Sequence, residues 1–390
     1  MVNSRGNSQI DSNFMKKYSY GRQTISSADI KSVVATLKSD YLTQGPKVKE
    51  FEDKICEVTG AKYAVVVSNG TAALHLAVLA LGIGVGDEGI TTPITFVASA
   101  NCLRYVGADV KFADIEPDTG LIDPKEILKH ITPCTKVLIP VHYAGQSCDM
   151  EEIAKIAKKH KLFVIEDAAH AIGSTYKGSK VGSCRYSDLT TLSFHPVKTI
   201  TTGEGGAITT NNPELYKKLL MLRTHGITQR PDIAPWYYEM QELGYNYRLP
   251  DILAALGIAQ LKKLDKFVVK RRKIVEIYKK AFANDPRFSL LVEREYNNSA
   301  FHLCPLLIDF SKIKISKIEL FNKLKERGIT LQVHYIPVHF QPYYTQLGFK
   351  EGMYPKSETF YSKELSLPLY PSLKISDIKY VVKTIIELTQ

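Results

Sequence analysis

From Tyr63 to Thr210 the chain alternates continuous apolar runs with helical stretches of about three turns, and this rhythm restricts its possible folds more than any other feature. Tyr63-Ala-Val-Val-Val67 reads as a strand buried on both faces. Ser68-Asn-Gly-Thr71 then turns the chain into a helix over residues 72–81 that is apolar nearly all round. Such a helix must be covered on most sides, so it marks the centre of a large domain. Thr91-Thr-Pro-Ile-Thr-Phe-Val97 is a second short apolar segment, and strands are expected over 110–115, 136–142, 162–167, 189–194 and 207–210. Helices are expected over 98–106 and 150–160 between them. The pattern predicts an α/β fold in which a parallel or mixed sheet carries helices on both faces. Ligands gather at the carboxyl ends of strands in such sheets, where Ser68, Phe96, Asp167 and the segment around Lys198 fall.

The rest of the chain is arranged around that block. Residues 1–14 are polar and aperiodic and read as a flexible extension. Helices are expected from Ser27 to about residue 38 and over 47–58, joined by the turn-rich Tyr41-Leu-Thr-Gln-Gly-Pro46. The polar and aromatic loop 226–247 holds Trp236, and a loop of that length usually binds something or meets another subunit. One long helix over 251–282 is expected to carry the chain from a large domain (15–260) into a small α+β domain (261–390). Strands over 301–309 and 330–335 and helices over 315–327 and 375–389 would build the latter.

Composition excludes several classes of function. No run approaches the ~18 apolar residues of a membrane span, and no apolar leader follows the amino terminus, so a cytoplasmic protein is expected. The six cysteines are scattered without a Cys-x-x-Cys pair, which argues against a zinc site or a disulfide scaffold. His334 and His339 lack the i, i+4 helical spacing of a metal pair, and no metal is expected. The net charge of +11 sits mostly on amphipathic helices, with Lys270-Arg-Arg-Lys273 the one compact basic run, so no nucleic-acid partner is expected.

Candidate chemistry lies at the strand ends. Lys198 sits in Ser193-Phe-His-Pro-Val-Lys198, just after a strand and before the glycine-rich Thr202-Gly-Glu-Gly-Gly206, a place suited to anchoring a carbonyl cofactor. Alone, it reads far more readily as a solvated loop lysine. Asp167 ends a buried strand, where a carboxylate needs a partner, and it reaches the same sheet edge as Lys198. The Ser68–Thr71 turn can present helix N–H groups to a phosphate or serve as a plain connection.

Taken together, six motifs in order resemble the DegT/StrS-type sugar aminotransferases over almost the whole chain. They are Leu42-Thr-Gln-Gly-Pro46, Ser68-Asn-Gly-Thr-Ala-Ala-Leu-His75, Thr92-Pro-Ile-Thr-Phe-Val97, Glu166-Asp-Ala-Ala-His170, Ser193 to Gly206, and Gly244-Tyr-Asn-Tyr-Arg-Leu-Pro-Asp251. The resemblance implies the fold type I of pyridoxal 5′-phosphate (PLP) transferases (aspartate-aminotransferase-like), with a large α/β/α domain and a small α+β domain. It implies that Lys198 carries PLP covalently and shuttles the proton, while Asp167 pairs with the pyridine nitrogen. Phe96 would stack on the ring, and Gly70, Thr71 and Ser193 would hold the phosphate together with Asn246 from a neighbouring subunit. That last role implies a homodimer with shared active sites. His170 would lie near the ring oxygen, where many members carry glutamine.

Within the family, the residues around Lys198 are similar to the branch that makes UDP-4-amino-4,6-dideoxy-N-acetyl-β-L-altrosamine on the route to pseudaminic acid. Thr199, where proline is expected, and Gly89, inside a usual Gly-Asp-Glu-Val-Ile run, depart from that pattern. The resemblance implies a UDP-linked 4-keto-6-deoxy amino sugar as acceptor and L-glutamate as donor, leaving 2-oxoglutarate. Other keto sugars, a sugar dehydratase and a non-catalytic regulator are the alternatives; the retained Lys198 speaks against a dehydratase, in which histidine replaces it. Thr43, Gln44, His334, Tyr335 and His339 could line the substrate entrance, although His334 and His339 read equally as packing. Arg248 could hold a substrate anion or pin the neighbouring subunit.

Overall fold

The computed structural model describes residues 16–390, so the expected extension over 1–14 lies outside the described residues. Seven strands form the main sheet, in the order Tyr63–Val67, Gly206–Thr210, Leu189–Ser193, Phe163–Asp167, Thr135–Leu138, Glu88–Thr91, Asp109–Phe112. Gly206–Thr210 runs antiparallel to both its neighbours, and every other pairing in the sheet is parallel. The strand pleat sorts successive side chains to opposite faces. Val65 and Val67 pack with helix Gly70–Ala80 on one face, whereas Ala64 and Val66 pack with Phe51 and Ile258 on the other. Both faces are therefore dry, which is why these strands read as unbroken apolar runs.

The antiparallel strand positions the site. Gly206 is paired with Val67 on one side and Ser193 on the other, so the turn before helix Gly70–Ala80 and the end of Leu189–Ser193 meet there. A Cβ on Gly206 would stand 2.4 Å from the Asn69 carbonyl oxygen and 2.8 Å from the Gly70 nitrogen. Glycine is what allows that close approach.

A separate apolar cluster forms around the three-stranded antiparallel sheet Phe288–Leu290, Pro305–Ile308 and Glu364–Ser366, covered by helices Leu264–Phe282, Lys317–Glu326 and Ile375–Leu388. Tyr18–Ser19 pairs parallel with Ile329–Thr330, so the start of the described chain joins this cluster.

Three expected elements are corrected. The helix expected over 251–282 is two helices, Asp251–Leu261 and Leu264–Phe282. The corner is fastened by the Lys263 ammonium on the buried Asp29 carboxylate, a contact that local periodicity does not reveal. The strand expected over 330–335 is reduced to Ile329–Thr330, and the chain beyond it lines a cavity instead. The strand expected over 301–309 shortens to Pro305–Ile308 because Phe301 adopts a φ of 46°, incompatible with extended pairing. Loop 226–247 contains a hairpin, Ile227–Gln229 with Tyr238–Met240.

Candidate active site

A cavity of about 830 Å³ opens where the sheet edge, the start of helix Gly70–Ala80 and residues 332–335 converge. Asp167 enters it from the last position of Phe163–Asp167. Its carboxylate accepts the Ser99 hydroxyl at 2.6 Å on Oδ2 and the Ala169 N–H at 3.1 Å on Oδ1. Because the Ser99 proton is committed to Asp167, Thr95, whose hydroxyl lies 2.7 Å away, donates to Ser99. Both carboxylate oxygens are thus fixed within the chain, and the residue borders the cavity.

Lys198 lines the same cavity from the turn after Leu189–Ser193, its N–H bonded to the His195 carbonyl at 2.9 Å. Burial pulls its ammonium down to about 8, against the attraction of Asp167. A far larger share of free amine is then present near neutral pH than on an ordinary lysine.

Helix Gly70–Ala80 starts at the rim, with Asn69 as its cap accepting the Ala72 N–H at 2.8 Å. The N–H groups of Gly70 and Thr71 remain free of intrahelical partners at the positive end of the helix. A Cβ on Gly70 would sit 3.0 Å from Ser193 Cβ, so the Ser193 hydroxyl lies directly against this turn. Phe96, 58% exposed, lines the opening with its ring 6.3 Å from that of Tyr335.

On the remaining wall Tyr335 meets His170, hydroxyl to Nε2 at 3.0 Å. His170 Nδ1 is buried without a partner. Burial holds this ring well below its usual pKa, and the neighbouring Lys198 and His334 push the same way, so His170 is neutral.

The structure therefore gathers Gly70, Thr71, Phe96, Asp167, His170, Ser193, Lys198, His334 and Tyr335 around one space. Thr43, Gln44, Asn246 and Arg248 do not line it. The Thr43–Gln44 turn is tied to helix Asp251–Leu261, whose Asp251 carboxylate accepts the N–H groups of Gly45 and Lys47 at 2.8 Å each. Within segment 245–248 it is Tyr247 that lines the cavity, and Asn246 and Arg248 on either side of it do not. His339 is fully buried on Glu358 at 3.0 Å and takes the packing role. Sequence reasoning missed Ser99, Tyr20, Tyr247 and His302. Ser99, in the first turn of helix Ala98–Tyr105, carries no local signal of its partner, and Tyr20 and His302 arrive from distant segments.

Residues 23–386 match the DegT/DnrJ/EryC1/StrS aminotransferase family. The chain belongs to that family. It is a sugar aminotransferase, and its seven-stranded mixed sheet is the fold type I architecture implied by the motifs. Enzymes of this family are PLP-dependent. The UDP-4-amino-4,6-dideoxy-N-acetyl-β-L-altrosamine transaminase of Campylobacter jejuni is 43% identical over 377 residues, covering 95% of this chain and 97% of that protein. Among solved structures, Helicobacter pylori PseC, an aminotransferase of pseudaminic acid biosynthesis, superposes with a TM-score of 0.90 at 35% identity, covering 96% of this chain and 99% of PseC. The PLP form of the sugar aminotransferase Spr1654 from Streptococcus pneumoniae gives 0.89 at 33% identity, covering 95% and 98%. Among the described residues no helix is long and apolar enough to cross a membrane, and no cluster of metal-ligating side chains occurs.

Proposed function

We propose that this enzyme uses PLP to transfer the amino group of L-glutamate to C4 of a UDP-linked 4-keto-6-deoxy-N-acetylhexosamine, working as a homodimer. The observation that carries the reading is that Lys198, Asp167 and the free helix end at Gly70–Thr71 face one cavity. The donor set suits the cofactor part by part: an amine for its aldehyde, a carboxylate for a protonated pyridine nitrogen, and helix N–H groups for its phosphate. The unpartnered His170 Nδ1 leaves a buried polar atom for a ring substituent.

When bound, PLP supplies an electron sink for the carbanion formed at the substrate carbon. Lys198 Nζ holds the cofactor and then moves a proton at the reacting carbon, a task for which an amine with a pKa near the working pH is suited. Asp167 keeps a proton on the pyridine nitrogen, and Ser99 orients it. Phe96 covers one ring face, while Gly70, Thr71, Ser193 and Asn246 of the partner subunit hold the phosphate. Thr43, Gln44, Arg248, His334 and Tyr335 are assigned to the substrate, the first three acting across the dimer.

Two exposed apolar surfaces support the dimer. Ile30, Val34 and Leu37 form one stripe along helix Ser27–Leu37, and the hairpin region carries Trp236, 79% exposed, with Met240 and Leu243. The sugar and the donor rest on similarity to the Campylobacter jejuni transaminase and to PseC. Incubation with glutamate and the UDP-4-keto sugar, followed by mass spectrometry, should yield 2-oxoglutarate and an amino sugar. Formation of 2-oxoglutarate with a 3-keto substrate alone would remove the C4 assignment.

A further inference from the structure

Behind the cavity wall a buried polar chain runs from the small three-stranded sheet to His334. Glu364 and Ser366 stand two residues apart on strand Glu364–Ser366, hence on one face of it, and both are fully buried. Ser366 Oγ lies 2.5 Å from Glu364 Oε1 and 2.8 Å from His334 Nδ1. The His334 backbone N–H donates to Glu364 Oε2 at 2.7 Å, which reserves that oxygen as an acceptor. The His334 ring borders the cavity, and with Nδ1 engaged on Ser366, Nε2 is the ring nitrogen left for a ligand.

A hydroxyl has one proton, so the chain has two self-consistent arrangements. With Glu364 ionised, Ser366 gives its proton to Oε1 and accepts the Nδ1 proton of His334, leaving Nε2 as a bare acceptor. With Glu364 protonated on Oε1, the acid donates to Ser366, Ser366 donates to Nδ1, and the histidine carries its proton on Nε2. One arrangement becomes the other by uptake of a single proton at Nε2. The Nδ1 proton passes to Oγ, and the Oγ proton passes to Oε1. Three bonds to hydrogen form at Nε2, Oγ and Oε1; those at Nδ1, at Oγ and on the external donor break.

We propose that Glu364 and Ser366 are positioning residues that decide which nitrogen of His334 carries the ring proton, presenting the cavity with a donor when Glu364 is protonated and an acceptor when it is ionised. Within the hydrogen-bonded chain Glu364 is the group that changes. Burial pushes its carboxyl up to about 8, against the bonds from Ser366 and the His334 N–H and the charge of Lys317. Lys317, facing it from helix Lys317–Glu326, is drawn down to about 8 by its own burial. The ring of His334 is held down to about 3 by burial and by Lys198, so the imidazolium is not a third state. The other titratable groups facing this wall are Tyr143, which donates to the His334 carbonyl, Tyr335, Tyr20, His170 and His302. Burial keeps the three tyrosines protonated and the two histidines neutral.

The kinetic consequence rests on the functional reading above: an oxygen of the sugar nucleotide held by Nε2–H should lose that bond as Glu364 ionises. KM should then rise by about three- to tenfold on the alkaline side. The ring proton itself is read without substrate, by NMR of full-length protein carrying 15N-histidine, with the His334 resonances assigned by His334→Gln. Across about pH 6 to 9, the wild type should move from the Nε2–H to the Nδ1–H form. Glu364→Gln, whose amide donates to Ser366 as the protonated acid does, should hold Nε2–H throughout and abolish the alkaline rise in KM. Ser366→Ala should uncouple the ring from pH, and Ser366→Thr, which keeps the hydroxyl, should restore the coupling. A His334 tautomer that is the same in the wild type, Glu364→Gln and Ser366→Thr at both ends of the range, with melting temperatures intact, overturns the proposal. If the resonances behave as expected and the UDP-4-keto sugar is not aminated, the substrate assignment falls and the tautomer control stands.

Discussion

Both carboxylate oxygens of Asp167 are satisfied by Ser99 and Ala169 of the same chain, and Lys198 faces the same cavity from the next strand end. Segment 245–248 differs. Tyr247 is fixed within its own chain, its hydroxyl 3.1 Å from His75 Nδ1 and its ring stacked 5.0 Å from Tyr245, yet Asn246 and Arg248 beside it line no part of this cavity. The nearby hairpin leaves Trp236, Met240 and Leu243 in solvent. Under the proposed function, the contrast separates the chemistry one chain would complete from the contacts assigned to a second copy. Lys198 and Asp167 meet at strand ends within one chain, whereas the contacts proposed for 43–44 and 246–248 require an interface.

Replacing the local machinery should have the largest effect. Lys198→Ala is expected to lower kcat by about 10²–10⁴-fold, measured as 2-oxoglutarate formed from glutamate. Loss below about tenfold would mean that another group moves the proton. The interface half of the contrast is tested by mixing Lys198→Ala with Asn246→Ala protein. Exchanged dimers should regain part of the wild-type rate, because one of their two sites combines an intact lysine with an intact asparagine. No recovery after demonstrated exchange would count against the cross-subunit arrangement. Ser99→Ala should cost about tenfold in kcat while leaving the melting temperature near that of the wild type, since it removes a hydrogen bond to a charged group. The smallest effect concerns pH. An amine lowered to about 8 is unprotonated above that value, so the rate at which PLP attaches to cofactor-free protein should climb with pH and level off near there. Continued rise toward the value of an ordinary lysine would show that the burial of Lys198 does not reach its ammonium.

How much of this was legible in the sequence follows the same division. The main sheet was legible because buried strands leave unbroken apolar runs, and Asp167 and Lys198 because adjacent strand ends of one sheet share an edge. Ser99 was not, since a helical serine has the same local signature whether or not a carboxylate waits above it. Nor was the break at Lys262–Lys263, where no proline or glycine interrupts the pattern and a tertiary contact to Asp29 sets the corner. Asn246 and Tyr247 carried no register that told which faced the cavity, because irregular segments lack the periodicity that sorts side chains in helices and strands. The Glu364–Ser366–His334 chain joins positions some thirty residues apart, and only the folded sheet brings them together.

The central claim is that this cavity holds PLP on Lys198. Reduction of PLP-loaded protein with borohydride, followed by peptide mass spectrometry, reads the attachment directly. A single phosphopyridoxyl group on the Lys198 peptide, absent from Lys198→Ala, is the predicted result. Stable incorporation at a different lysine, or none in the wild type, would contradict it.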